Sequence, residues 1–165
     1  MKALAYGGVG LLALWLQISV APLIALWGIR PNLVLVSLVV LGLRWKDPGL
    51  FVYGAVCGVT LDSFSHGVLG VYGTSLFVAA WAVRWAGGSF YEDNLALGVL
   101  TVLGVSLLET VVAVSIFRIL DAGVPWWNWV LARGVPEALY SAAVAPLAFW
   151  AMARLERRFR MRSRI

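Results

Sequence analysis

Apolar residues fill this chain in six long blocks, parted by short stretches where charge, proline or glycine collects. The first block, Ala3 to Trp27, stands between Lys2 and Arg30, and its length predicts a helix that crosses a bilayer with tilt. Ser19-Val20-Ala21 imitates the cleavage site of a secretory leader. The stretch exceeds a leader's apolar region, however, and Pro22 would follow the cut, so it reads as a retained span. The second block, Pro31 to Leu43, makes only about 20 Å of helix at 1.5 Å per residue, against a hydrocarbon core of about 30 Å. Either its flanks, Arg30 and Trp45, extend it, or it sits shielded among neighbours.

Lys46-Asp47-Pro48 breaks the chain before the third block, Gly49 to about Leu61, which carries Gly54 and Gly58 at four-residue spacing and leads to Asp62. A tight turn over Ser63 to Gly67 is expected next, then a fourth span from Val68 to Trp85 and a polar loop from Gly87 to Asn94. The fifth span runs from Leu95 to about Leu120 and encloses Glu109. The sixth runs from about Pro136 to Arg154, with Pro136 at a helix-start position. Between these two, Pro125-Trp126-Trp127-Asn128-Trp129 is an aromatic cluster suited to the headgroup level.

Composition converts this pattern into a class. With 62% hydrophobic residues, 13% charged residues and a mean hydropathy of +0.89, a chain of 165 residues lacks the polar surface to coat a water-soluble globule. The expected architecture is an all-α polytopic membrane protein, one domain over residues 1–165, of about six transmembrane helices with the second one short. The single Cys57 excludes an internal disulfide and any cysteine-based metal cluster.

Charge then sets orientation. Six crossings with the N-terminus inside place Lys2, Arg44, Lys46, Arg84, Arg154, Arg157, Arg158, Arg160, Arg162 and Arg164 on the cytoplasmic face, and leave Arg30, Arg118 and Arg133 outside. The basic tail, about residues 154–165, reads as a topology anchor against anionic headgroups rather than a nucleic-acid binder.

Few residues offer chemistry. Glu109 lies near the middle of its span, where an ionised carboxylate costs a few kcal/mol or more, so it must face protein or water, pair, or stay protonated, with Ser106 and Thr110 as nearby hydroxyls. A ligand contact, a proton relay, a polar contact to another protein's helix and an internal helix-to-helix hydrogen bond all remain open for it. Asp62 reads as a cap on the turn that follows it. His66, the lone histidine, reads as a turn residue, and Glu137 as a charge opposing a helix dipole. Gly54, Gly58, Gly70 and Gly73 offer a surface for close helix approach, within the protein or from a partner. The sequence has no phosphate loop, nucleophile elbow or metalloprotease motif, so neither enzymatic activity nor a cofactor or metal is expected.

Pro31-Asn32-Leu33 opening a short apolar helix, the basic loop Arg44 to Lys46, and Gly54-x-x-x-Gly58-x-x-Leu61-Asp62 followed by Gly67-x-Leu69-Gly70 together resemble the rod shape-determining protein MreD family. The motifs cover about residues 10 to 80, and size, span pattern and basic C-terminus extend the likeness. The family often has aspartate where this chain has Asn32, and no family motif falls on Glu109.

The resemblance implies a non-enzymatic scaffold or regulator of the cell-elongation complex in the bacterial cytoplasmic membrane, both termini inside, supporting side-wall peptidoglycan synthesis and cell shape. Its implied partners are an MreC-like single-span protein, a RodA-like glycosyltransferase, a class B penicillin-binding protein, MreB and membrane lipids. Pro31, Asn32, Gly54, Gly58, Asp62, Gly70 and Glu109 are the candidate partner-binding or structural residues. Arg157, Arg158, Arg160, Arg162 and Arg164 are the candidate lipid anchors. The family also looks similar in fold to substrate-binding subunits of energy-coupling-factor vitamin transporters, which supplies the alternative function. An ion- or proton-coupled carrier using Glu109 is the third.

Overall fold

The computed structural model describes residues 2–45, 47–65, 69–86, 95–120 and 126–162. These form α1 (Lys2–Ser19), α2 (Leu33–Trp45), α3 (Gly49–Phe64), α4 (Val71–Ala86), α5 (Leu95–Ile119), a single turn α6 (Trp126–Trp129), a π-helical turn (Val130–Gly134) and α7 (Val135–Arg162). His66, Gly67, the loop from Gly87 to Asn94, Pro125 and Arg164 fall outside the described residues, as do the side chains of Arg157, Arg158, Arg160 and Arg162.

The short second block takes the centre. α2 has 13 residues, and its Val34, Leu35, Val36, Leu38, Val39, Val40, Leu41 and Leu43 are all buried. It packs on α1, α3, α4, α5 and α7. A helix apolar on every side suits such a position, because no face needs to meet water. Of the two ways to accommodate a short helix, the structure uses shielding by neighbours.

The surrounding helices turn large apolar side chains outward. Leu11, Trp15, Val52, Val56, Phe77, Trp81, Leu100, Leu147 and Trp150 are all exposed, a surface that lipid tolerates and water does not. Leu95–Ile119 and Trp127–Arg154 are each long and apolar enough to cross a membrane; α1, α2 and α3 are shorter apolar helices. Near the two ends of the second of these runs, Arg133 sits 4.9 Å over the ring of Trp129, and Arg154 sits 5.3 Å over that of Trp150. Each pair is spaced four residues apart, on one helix face.

Three boundaries differ from expectation, the simplest being the end of α7, which runs to Arg162 and not to Arg154. The first helix ends at Ser19, well short of Trp27. Val20 and Ala21 both donate to the Leu16 carbonyl, closing the last turn, and Pro22 can neither donate nor let its predecessor stay helical. The chain then reverses at Trp27-Gly28, where both φ angles are positive, 51° and 81°, and Leu26 and Ile29 exchange backbone hydrogen bonds of 3.0 and 2.9 Å. Positive φ at both central positions is the geometry of a type I′ turn. The Tyr140 hydroxyl fastens this segment to α7 by donating to the Ile24 carbonyl at 2.6 Å.

The third difference is at Pro136. The helix does not begin there; helical backbone runs without a break from Trp126, so the aromatic cluster is the first turn of a helix rather than a loop. Proline at 136 removes an N–H and crowds the carbonyl four residues back. The chain relieves this with a wider turn, in which the Val135 N–H reaches the Val130 carbonyl five residues back. Gly134 in that turn lies against Thr110 of α5, where a Cβ would collide with the threonine side chain.

Candidate functional site

The polar side chains buried in the bundle gather where α2 and α4 begin. Asp62, at the end of α3, is 2% exposed. Its Oδ2 accepts from the backbone N–H of Gly70 and of Gly73, and its Oδ1 from that of Tyr72, each at 3.0 Å. One carboxylate thus satisfies three donors at the start of α4, where four backbone N–H groups have no helical partner and the dipole favours negative charge. Gly70, with φ of 97°, makes the bend that brings those N–H groups round to it.

The start of α2 is closed in the same manner with neutral groups. Asn32 Oδ1 accepts from the Leu35 N–H at 3.0 Å, which is an N-cap. Gln17 Oε1 of α1 accepts from the Leu33 N–H at 2.6 Å, and Ser141 Oγ of α7 accepts from the Asn32 N–H at 2.9 Å. Aspartate at position 32 would offer the same acceptor in the same place, so this cap is open to either residue. Pro31 is buried beside it and fixes the approach of the chain.

Glu109 is 4% exposed, on the face of α5 that meets α4. Ser75 Oγ of α4 donates to its Oε1 at 3.1 Å. The nearby hydroxyls of its own helix are placed otherwise: Thr110 Oγ1 donates to the Ser106 carbonyl at 3.0 Å, and Ser106 Oγ is buried with no hydrogen-bond partner among the described residues. Tyr72, Arg133 and Glu137 lie within electrostatic reach of the same region. Among the described residues, no group of three or more His, Cys, Asp or Glu side chains converges as a metal site.

The glycines of the third block are used inside the bundle. A Cβ on Gly58 would stand 2.5 Å from the Tyr72 carbonyl oxygen and 2.6 Å from Gly73 Cα; one on Gly54 would stand 2.8 Å from the Leu76 carbonyl oxygen. Gly73 faces Val59 in return. Of the two uses open to these glycines, packing within the protein and contact with a partner, Gly54, Gly58 and Gly73 take the first and are buried in the contact between α3 and α4. Gly70 belongs to the turn instead. What the sequence does not single out is Ser75, Gln17 and Ser141, the partners of Glu109, Leu33 and Asn32. Each is an ordinary residue in an apolar block, and only the crossing of helices gives it a role.

Among the described residues, an all-helical bundle with large apolar side chains turned outward and two carboxylates, Asp62 and Glu109, buried within it is the build of a helical membrane protein. Residues 7–158 match the family model described as rod shape-determining protein MreD, nearly the whole chain, and the chain belongs to that family of membrane proteins, whose role is rod shape determination. No curated protein and no solved structure matches it. The expected likeness in fold to vitamin-transporter subunits therefore has no support.

Proposed function

We propose that the chain is a non-enzymatic, multi-pass scaffold of the cell-elongation complex in the bacterial cytoplasmic membrane, with both termini cytoplasmic. It binds an MreC-like single-span protein. Through that assembly it supports a RodA-like glycosyltransferase, a class B penicillin-binding protein and MreB in side-wall peptidoglycan synthesis. The basic tail, Arg157 to Arg164, rests on anionic headgroups.

The observation that carries this reading is how the buried helix starts are used. Membrane carriers aim the N-termini of interrupted helices at a substrate. Here the start of α2 is occupied by Gln17, Asn32 and Ser141, and that of α4 by Asp62. Donors already paired within the protein favour a rigid body that presents its surface to other proteins.

The test is purification of the tagged protein from its native membrane in mild detergent, with mass spectrometry of co-purifying proteins and small molecules. Recovery of an MreC-like protein or cell-wall synthases without a small ligand is expected. A vitamin-like molecule together with an ATPase module would overturn the scaffold in favour of a transporter subunit.

A further inference from the structure

The reversal that joins α1 to α2 has an unusual composition for a connection. From Pro22 to Ile29 it carries no charged side chain, and no polar group in a side chain beyond the indole N–H of Trp27. Turns that face water are ordinarily polar. Leu23 and Leu26 are exposed, and Trp27, at the tip, is exposed completely. Among the described residues Trp27 is also the one non-glycine residue with a positive φ, a conformation that any side chain makes costly. Its ring gains no packing against the described residues that would offset this cost.

The backbone of the segment is paired from within. The Leu23 and Ile24 N–H groups donate to the Val20 carbonyl, that of Ala25 donates to Pro22, and those of Leu26 and Ile29 donate to each other's carbonyl. Pro22 has no N–H, and the Tyr140 hydroxyl serves the Ile24 carbonyl. Irregular backbone meets an apolar surrounding only where its polar groups are paired in this way. Both helices that the reversal joins are short for a bilayer: α1 makes about 27 Å and α2 about 20 Å, against a hydrocarbon core of about 30 Å. An apolar cap at their shared end makes up the difference.

We infer that Pro22 to Ile29 is a lipid-anchoring hairpin, seated in the boundary between headgroups and acyl chains of the leaflet where α1 ends. Leu23, Leu26 and Trp27 lie among the upper acyl chains, and the exposed Arg30 reaches lipid phosphate. Tryptophan suits this level, because its ring is apolar while its N–H finds a partner there. The lipid is that which already surrounds α1, whose Trp15 and Ile18 are exposed just before the hairpin. The anchor goes beyond the scaffold reading and depends on none of the proposed partners.

The test uses the full chain in vesicles of phosphatidylethanolamine and phosphatidylglycerol. An environment-sensitive fluorophore is attached at Trp27→Cys or, in a second protein, at Leu23→Cys, each in a Cys57→Ser background; two sites keep the test decisive where one substitution disturbs the fold. Leu108→Cys, on the exposed side of α5 and near its middle, is the deep reference. Lipids bearing a nitroxide near the headgroup or near the end of an acyl chain quench from the bilayer, and iodide quenches from water. Expected at positions 23 and 27 is quenching several-fold stronger by the shallow nitroxide than by the deep one, the reverse order at position 108, and iodide quenching several-fold below that of the free dye. Iodide quenching equal to that of the free dye leaves the hairpin in water and overturns the inference. Protection from iodide and from both lipids puts protein over the hairpin, a second copy if native mass spectrometry finds a dimer and another chain if it does not, and overturns it equally. The scaffold reading is tested separately, by the proteins that co-purify.

Discussion

Asp62 holds three backbone donors at the start of α4 and is shut away from solvent, so its removal leaves those N–H groups buried without partners. Hydrogen bonds to a charged group contribute about 1.5–3 kcal/mol, and orphaned donors add a penalty. Asp62→Ala is therefore expected to lower stability in detergent by about 3 kcal/mol or more, measured by denaturant unfolding. Asp62→Asn, which keeps an acceptor oxygen, should lose less. Equal losses would show that the cap does not carry the effect. Glu109→Gln retains the oxygen that accepts from Ser75. Since polar contacts between membrane helices contribute on the order of 1 kcal/mol, the variant is expected to unfold within about that margin of the wild type and to restore rod shape in cells lacking the native protein. Loss of shape with intact folding would give Glu109 a direct role beyond packing. Asp62 was legible as a cap because a carboxylate stands just before a break between helices, although the donors it holds, Gly70, Tyr72 and Gly73, lie at the start of α4 and not in the turn that directly follows it. The Ser75 partner of Glu109 was not, because the two lie 34 residues apart and meet only through the α4 and α5 contact.

At the scale of elements, the pairing of α3 with α4 is set by glycine. Gly58 touches the backbone of Tyr72 and Gly73, so a larger side chain there must push the two helices apart. Gly58→Leu is expected to reduce the yield of folded, monodisperse protein and to lower its unfolding temperature, whether or not a partner is present. Size-exclusion and thermal-unfolding profiles check this, and a fully stable Gly58→Leu protein would remove the close contact from the account. Four-residue glycine spacing announced a close helix approach but not its partner, since an internal and an external helix need the same small residues. The starts and stops were read less well where one residue has two uses. Pro136 suits a helix start, yet a π-helical turn absorbs it within a longer run. The apolar stretch to Trp27 suits a continuous span, yet Pro22 and the reversal at Trp27-Gly28 end the helix at Ser19.

Across the whole molecule, the proposed topology makes a testable division. A reporter fused after residue 162 and one inserted at Lys46-Asp47 should both report the cytoplasm, whereas one placed after Ile119 should report the opposite side of the membrane. A cytoplasmic signal after Ile119 would break the six-crossing arrangement.

By itself the sequence determined the helical class, the six apolar blocks, the family and the brevity of the second helix, because all of these are carried by local composition, spacing and short motifs. The tertiary structure alone decided that α2 lies at the centre, that Gly54 and Gly58 face α4 rather than a partner, and that the N–H groups at the start of α2 are paired by residues from α1 and α7 as well as by Asn32. In a chain apolar on nearly every face, periodicity does not say which side of a helix turns inward. That choice is made by which small residues let backbones approach and which distant polar groups meet when they do.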